Sequence, residues 1–216
     1  MPRQRRIGLT GGIASGKSSV GRWLAQQQVP VLDADQYAHD ALAPGEPAWQ
    51  AVIDRYGNAV LQQGSDPTQA ALNRSALGSI VFADAQERRW LEALIHPVVR
   101  DRFEHELLKL SNEPVVVLMI PLLFETGMAS LCSEVWVVNC SLEQQRQRLM
   151  ARNALSAQAA DQRIQAQWPL SRKCELADAV INNSGPPQNW RAQVHALFTA
   201  STQQACSSTD AMSGHE

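Results

Sequence analysis

Gly11-Gly12-Ile13-Ala14-Ser15-Gly16-Lys17-Ser18 fits the spacing G-x-x-x-x-G-K-[ST], and residues of these types at these separations can hold phosphate. Gly11 and Gly16 permit backbone angles that a Cβ disfavours, so consecutive N–H groups can turn inward around phosphate oxygens at the positive end of a following helix. Lys17 adds a mobile cation for the β- and γ-phosphates, and the Ser18 hydroxyl adds a ligand for Mg2+. The alternative is a glycine turn that matches by coincidence. A chain with three lysines that places one of them at this position argues against it. Gly11, Gly12, Ile13, Ala14, Ser15, Gly16, Lys17, Ser18 and Ser19 are thus expected to bind a nucleoside triphosphate.

Phosphoryl transfer to an alcohol needs a carboxylate that orients the hydroxyl and takes its proton while magnesium and lysine hold the γ-phosphate. Asp33, in Asp33-Ala34-Asp35 at the end of an apolar run, suits that role; its other reading is a turn former. Asp35 precedes a helical segment at residues 36–42 and reads first as its N-cap, with magnesium or substrate contact as the lesser reading. Arg148 and Arg152 are spaced i, i+4, and Arg163 follows on the next helical stretch. Guanidinium groups that close over triphosphate oxygens neutralise charge developing in transfer. The other reading is a solvated face, with Arg152 answering the dipole of a helix that ends at Asn153. His96, beside Pro97 in an apolar stretch, reads as a structural histidine at a helix junction. Glu125, after Pro121-Leu122-Leu123-Phe124, could support the metal, hold a substrate hydroxyl or cap a helix, and its neighbours do not choose.

These side chains need elements to position them. Residues 6–10 form a short apolar run before the loop, and Val20, Trp23 and Leu24 share one face of the helix expected after it. Further apolar runs at residues 29–32, 115–120, 135–138 and 179–181 alternate with helical patterns, which argues for an α/β fold: a parallel sheet of about five strands covered on both faces. Loops leaving the carboxyl ends of such strands are where ligands collect. Between the second and third runs lies a helical insertion, with Leu91, Leu94, Ile95, Val98 and Val99 on a buried face. Pro97 interrupts it, so either one helix kinks there or a second begins.

The whole chain sets limits. Its 216 residues, 44% hydrophobic and 19% charged, suit one compact domain with an inserted lobe. A formal net charge of -2 gives no basic surplus for a nucleic-acid backbone, and no run approaches the ~18 apolar residues of a membrane span. Cys132, Cys140, Cys174 and Cys206 lack C-x-x-C spacing and read as reduced thiols. The expectation is a soluble cytoplasmic protein, with residues 201–216 as a disordered tail.

Taken together, these residues resemble the dephospho-CoA kinase family over residues 7–185. The likeness runs through Leu9-Thr10 and the loop, Asp33-Ala34-Asp35 with Ala38-His39, Leu72-Asn73-Arg74, Val81-Phe82, Ile95-His96-Pro97 and Pro121-Leu122-Leu123-Phe124-Glu125. It continues through Gln145, Arg148, Leu149 and Arg152, then Arg163-Ile164 and Gln167, and Ala177-Asp178 leading to Asn183-Ser184-Gly185. The resemblance implies a P-loop kinase core at residues 1–34 and 114–200, a helical CoA-binding lobe at 35–113 and a lid at 141–167. It implies ATP and Mg2+, and transfer of the γ-phosphoryl to the ribose 3′-hydroxyl of dephospho-CoA, by a monomer or weak homo-oligomer. Asp33, Lys17, Arg148 and Arg152 become the catalytic set. Asn183 and Gly185 fall beside adenine, and Asp33, Asp35, His96, Pro97, Leu123 and Glu125 fall on the acceptor side. Two departures stand out: Asn153 replaces a frequent aspartate, and Ala14 replaces a common glycine, which is tolerable if its backbone stays in an ordinary region. Competing readings are a kinase for another small acceptor, a scaffold with a degenerate nucleotide site, and a GTP switch. Intact Lys17, Ser18 and Asp33 weigh against the scaffold. Asp54-Arg-Tyr-Gly57 fits a D-x-x-G pattern for the switch, but no Asn-Lys-x-Asp motif accompanies it.

Overall fold

A computed structural model describes residues 4–62 and 70–210, without the side chains of Phe82 and of residues 200–210. Along these residues the chain forms β1 (Arg5–Gly11), α1 (Lys17–Gln26), β2 (Val31–Asp33), α2 (Ala34–Ala41), α3 (Pro47–Tyr56), α4 (Arg74–Ala83), α5 (Ala85–Lys109) and β3 (Val115–Met119). There follow β4 (Glu134–Asn139), α6 (Leu142–Asn153), α7 (Ala157–Gln165), α8 (Leu170–Glu175), β5 (Ala179–Asn182) and α9 (Pro187–Asp210). The chain divides into two compact units. One holds the residues up to Leu32 and those from Leu110 onward; the other is Asp33–Lys109.

In the first unit the strand order is β2-β3-β1-β4-β5. β1 lies parallel to β3 and β4, with Ile7 opposite Val117 on one side and Glu134 on the other, and β4 lies parallel to β5. Ile7, Leu9, Val117, Trp136, Val138 and Ile181 are fully buried, so these strands read as continuous apolar runs rather than alternating ones because both faces are covered. α1 supplies Val20 and Leu24 to this core, and α9 supplies Trp190 and Val194. β2 begins later than its apolar run. Pro30 has no N–H to give a ladder, though its carbonyl accepts from Val117 N–H at 2.9 Å, so the strand starts at Val31. β1 begins earlier because the Arg5 guanidinium pairs with Glu134 on β4, which lets a charged residue open a central strand.

The second unit is helical. Trp49, Val52, Val60, Leu72 and Leu77 form its core, with Trp49 Nε1 donating to Ala70 O at 3.0 Å. Pro97 does not start a new helix: α5 runs unbroken through it for 25 residues. Its buried face is Ile95, Val99, Phe103 and Leu107, an i+4 row, whereas Val98, expected on that face, is 42% exposed. One helix therefore stays continuous at the cost of a single missing backbone bond. At the other end of the chain, α9 extends to Asp210 and takes in residues 201–210, a stretch with neither Gly nor Pro that was read as tail. Residues 1–3 and 211–216 lie outside the described residues, as does the side chain of Cys206.

Candidate active site

β1 ends at Gly11 and α1 begins at Lys17, so the phosphate loop spans one strand-to-helix turn. Ser15 N–H closes a tight turn on Gly12 O at 3.1 Å. Gly16 is the N-cap of α1 with φ of 103, a left-handed conformation that a side chain would strain, and its carbonyl accepts from Ser19 and Val20. The first-turn N–H groups of a helix have no intrahelical acceptor, and α1 carries no acidic residue in that turn. Its positive end is left for an external anion.

What shapes the loop comes from far along the chain. Ile13 O accepts from Gln145 Nε2 on α6 at 2.8 Å, and Ile13 N–H donates to Gln167 Oε1 at 2.9 Å. Ser15 O accepts from Asn183 Nδ2 at 2.8 Å and from Arg148 Nη1 at 3.4 Å. Arg148 Nη2 in turn donates to Asn183 O at 2.9 Å, and Asn183 N–H donates to Asn139 O at 2.7 Å. Two loop carbonyls are thus held from outside. The glycines make room for these partners: a Cβ on Gly12 would fall on Gln145 Nε2, and one on Gly16 would fall on Asn183 Nδ2. Ala14 overturns the expectation of an ordinary backbone, because its φ is 58, in the left-handed region. Holding an alanine there costs roughly 1–2 kcal/mol, and it persists where surrounding contacts over-determine the turn.

Beside the loop lies a cavity of about 530 Å³ lined by Gly16, Ser19, Trp23, Arg148, Asn183 and Trp190. The Trp23 and Trp190 rings meet edge to face at 5.9 Å and form a rigid aromatic wall. A cavity with an aromatic wall, a guanidinium and a buried amide, opening beside a phosphate cradle, has the features of a nucleotide-base site.

A family model described as dephospho-CoA kinase matches residues 5–188. The chain belongs to the dephospho-CoA kinase family. It is 59% identical over 198 residues to the dephospho-CoA kinase of Synechococcus sp. strain CC9605, covering 92% of this chain and 94% of that one. It is 62% identical over 182 residues to that of Parasynechococcus marenigrum strain WH8102, covering 84% and 89%. A crystal structure of TT1252 from Thermus thermophilus superposes with a TM-score of 0.76 at 34% identity, covering 92% of this chain and 98% of the other. A shikimate kinase from Acinetobacter baumannii, at TM-score 0.50 and 17% identity, shares the fold alone. By fold and family the protein is a P-loop kinase that uses ATP.

Seen as a member of this kinase family, the chain places its remaining expected site residues unequally. Lys17 is 8% exposed at the start of α1, while Ser18 and Ser19 stand exposed in its first turn. Gly185 borders the base cavity. Arg152 is exposed near the end of α6 and donates to Asn153 Oδ1 at 2.9 Å. Asp33, not Asp35, is the N-cap of α2: Asp33 Oδ1 accepts from Asp35 N–H at 2.9 Å. The helix starts two residues earlier than its pattern suggested, so Asp35 falls in the first turn, where a carboxylate suits the helix dipole. Tyr37, one turn on, has its hydroxyl pushed up to about 12 by burial, then by Glu106, with Asp33 adding to the rise against Arg102. His96, half-buried, and Pro97, exposed, lie within α5 of the helical unit.

Two acceptor-side expectations meet a different surrounding. Leu123 is fully buried, and a Cβ on Gly8 of β1 would press on its Cδ1, so it packs in the sheet core. Glu125 is ion-paired with Lys173 Nζ at 2.8 Å and accepts from Trp168 N–H at 3.2 Å, while its Oε2 is buried without a partner. Lys173 is itself fully buried and also donates to Pro121 O at 3.0 Å. A charge so enclosed is tolerable only with such partners. Sequence reading passed over Gln145, Gln167 and Lys173 as functional groups. The i, i+3 spacing of Gln145 and Arg148, two polar residues on one helix face, was an available signal for the first, and both glutamines stand among the residues that carry the family likeness, without a role assigned there; for Lys173 there was none.

Proposed function

We propose that this chain transfers the γ-phosphoryl of ATP to the ribose 3′-hydroxyl of dephospho-CoA, giving ADP and coenzyme A. The observation that carries the reading is the phosphate loop itself, with its carbonyls tied back by Gln145, Asn183 and Arg148 and a first turn of α1 that holds no acidic residue. In this reading the loop N–H groups and Lys17 hold the β- and γ-phosphates, and the cavity beside Asn183 and Gly185 takes adenine. Arg148 braces the loop and borders the base, and Arg152 covers the phosphates from α6. Asp33 accepts the proton of the attacking hydroxyl as its oxygen bonds phosphorus and the bond from γ-phosphorus to the bridging oxygen breaks toward ADP. The exposed Ser18 hydroxyl fits Mg2+, an ion that takes oxygen ligands from one or two protein groups and the phosphates and keeps several waters. Mg2+ bound there neutralises charge on the phosphate oxygens.

The helical unit Asp33–Lys109, with His96 and Pro97, is assigned to the acceptor and residues 141–167 to a lid. Leu123 and Glu125 are assigned to support of the site from behind. The protein is placed in the cytoplasm, as a monomer or weak homo-oligomer without nucleic-acid or membrane partners; among the described residues no helix is long and apolar enough to cross a membrane. Purified protein with ATP and Mg2+ is expected to release ADP in step with coenzyme A when dephospho-CoA is supplied, and to ignore shikimate, gluconate and nucleoside monophosphates. No product with dephospho-CoA, but turnover of one of the others, overturns the acceptor.

A further inference from the structure

Ile13 stands at the tip of the loop, and both polar groups of its backbone are taken by side chains. Its carbonyl accepts from Gln145 at 2.8 Å and its N–H donates to Gln167 at 2.9 Å. The two glutamines lie within the segment assigned to the lid, Gln145 on its first helix α6 and Gln167 at its end just past α7, and Gln145 is 3% exposed. Immediately after Ile13 comes Ala14 with φ of 58, where the loop would be expected to use glycine. Immediately before it comes Gly12, whose missing Cβ leaves the space that the Gln145 amide fills.

We infer that Gln145 and Gln167 are positioning residues: a two-sided amide clamp on Ile13 that fixes the loop in its phosphate-holding shape and keeps Ala14 in a left-handed conformation. The polarity is specific. Gln145 acts as donor and Gln167 as acceptor, so the pair fixes both the place and the facing of the peptide groups on either side of Ile13. Because Ile13 N–H points at Gln167, the phosphates are left to the N–H groups nearer the start of α1. An alanine at position 14 survives because the peptide before it cannot rotate to relieve the strain. Gly12 is then required for clearance rather than for its own backbone angles.

The inference rests on reading the loop as a phosphate cradle, and ADP binding to the full chain, measured by calorimetry, tests it without turnover. Gln145→Met, unbranched and of similar length but with no donor, is expected to weaken ADP about tenfold, the effect of one lost buried hydrogen bond. Adding Ala14→Gly, which removes the strain that the clamp holds, is expected to restore about threefold of that loss. A merely structural role for Gln145 gives no such rescue. ADP affinity unchanged in Gln145→Met, or a double variant no better than the single, overturns the inference. If Gln145→Met does not fold, Gln145→Glu and Gln167→Glu provide a second comparison, because each adds the same charge but only the second keeps the needed acceptor. Gln145→Glu is expected to bind ADP at least about fivefold more weakly than Gln167→Glu; equal losses overturn the clamp. Should ADP bind as expected while dephospho-CoA is not phosphorylated, the acceptor falls and the clamp stands.

Discussion

Two strand-to-helix turns carry the phosphate cradle and the carboxylate assigned as proton acceptor, and they are built in opposite ways. Between β1 and α1 the chain spends residues 12–16 on a loop whose shape depends on partners 132, 154 and 168 residues away, namely Gln145, Gln167 and Asn183. Between β2 and α2 there is no loop at all. Asp33 is the last residue of the strand and the cap of the helix, and its carboxylate is held by the N–H two residues on. A cradle must present several backbone groups that would otherwise bond to one another, so outside donors have to hold them apart. A lone proton acceptor needs only one anchored carboxylate, and a cap provides it locally. Preorganisation at the first turn is tertiary; at the second it is secondary.

The largest expected effects separate the two turns by charge. Lys17→Ala is expected to lower kcat/KM for dephospho-CoA phosphorylation by about 10³ while the fold is kept, since it removes a preorganised positive group from the developing charge. Asp33→Asn is expected to lower kcat by about 10² or more. Asparagine caps a helix as well as aspartate does, so this variant should melt with the unsubstituted chain and bind ADP within about twofold of it. Near-normal turnover in Asp33→Asn removes Asp33 as the proton acceptor. Gly16→Ala comes next: the left-handed φ of 103 and the collision with Asn183 should break the first turn's remote support and weaken ADP by about tenfold or more. Unaltered ADP affinity there would mean that the first turn is as locally held as the second.

This difference explains what could be read from the sequence. The phosphate loop announces itself, because glycine, lysine and serine at fixed spacing serve a backbone task that few other residues perform. The five-strand sheet was legible from its buried runs, and its boundaries moved by one or two residues, as at the starts of β1 and β2 where Arg5 and Pro30 set them by bonding. The cap was misread by two residues because the strand and α2 abut at Asp33, leaving no loop pattern to mark the junction. Ala14 was misjudged for the other reason. Its left-handed angle is imposed by Gln145 and Gln167, and nothing within five residues of it says so. Lys173 likewise carries no local mark of its place, because its partner Glu125 lies 48 residues back along the chain.

The end of β3 belongs with the first turn. Lys173 is enclosed and holds Glu125 and Pro121 O, so Lys173→Met, which strands a buried carboxylate, is expected to destabilise the chain by about 3–5 kcal/mol. Adding Glu125→Leu removes that stranded charge and should return most of the loss. A double variant as unstable as the single would show that Lys173 acts by packing instead.

The smallest effect expected sits within the helical unit. Glu87 is held down to about 2 by hydrogen bonds from Arg55 and then Tyr56, against an ordinary value of 4.5. A carboxylate depressed in the folded state stabilises it above the ordinary value, and that contribution fades as pH falls from about 4.5 through about 2. Arg55 also covers the Trp90 ring at 4.5 Å, and Tyr56 meets that ring edge on at 5.6 Å. Fluorescence assigned to Trp90 by difference from Trp90→Phe should therefore change over that pH window, and Arg55→Met should move the change toward 4.5. If the second turn is as self-contained as its cap suggests, ADP affinity at neutral pH will not register Arg55→Met. A shift in ADP affinity there would tie the helical unit to the cradle and erase the contrast between the two turns.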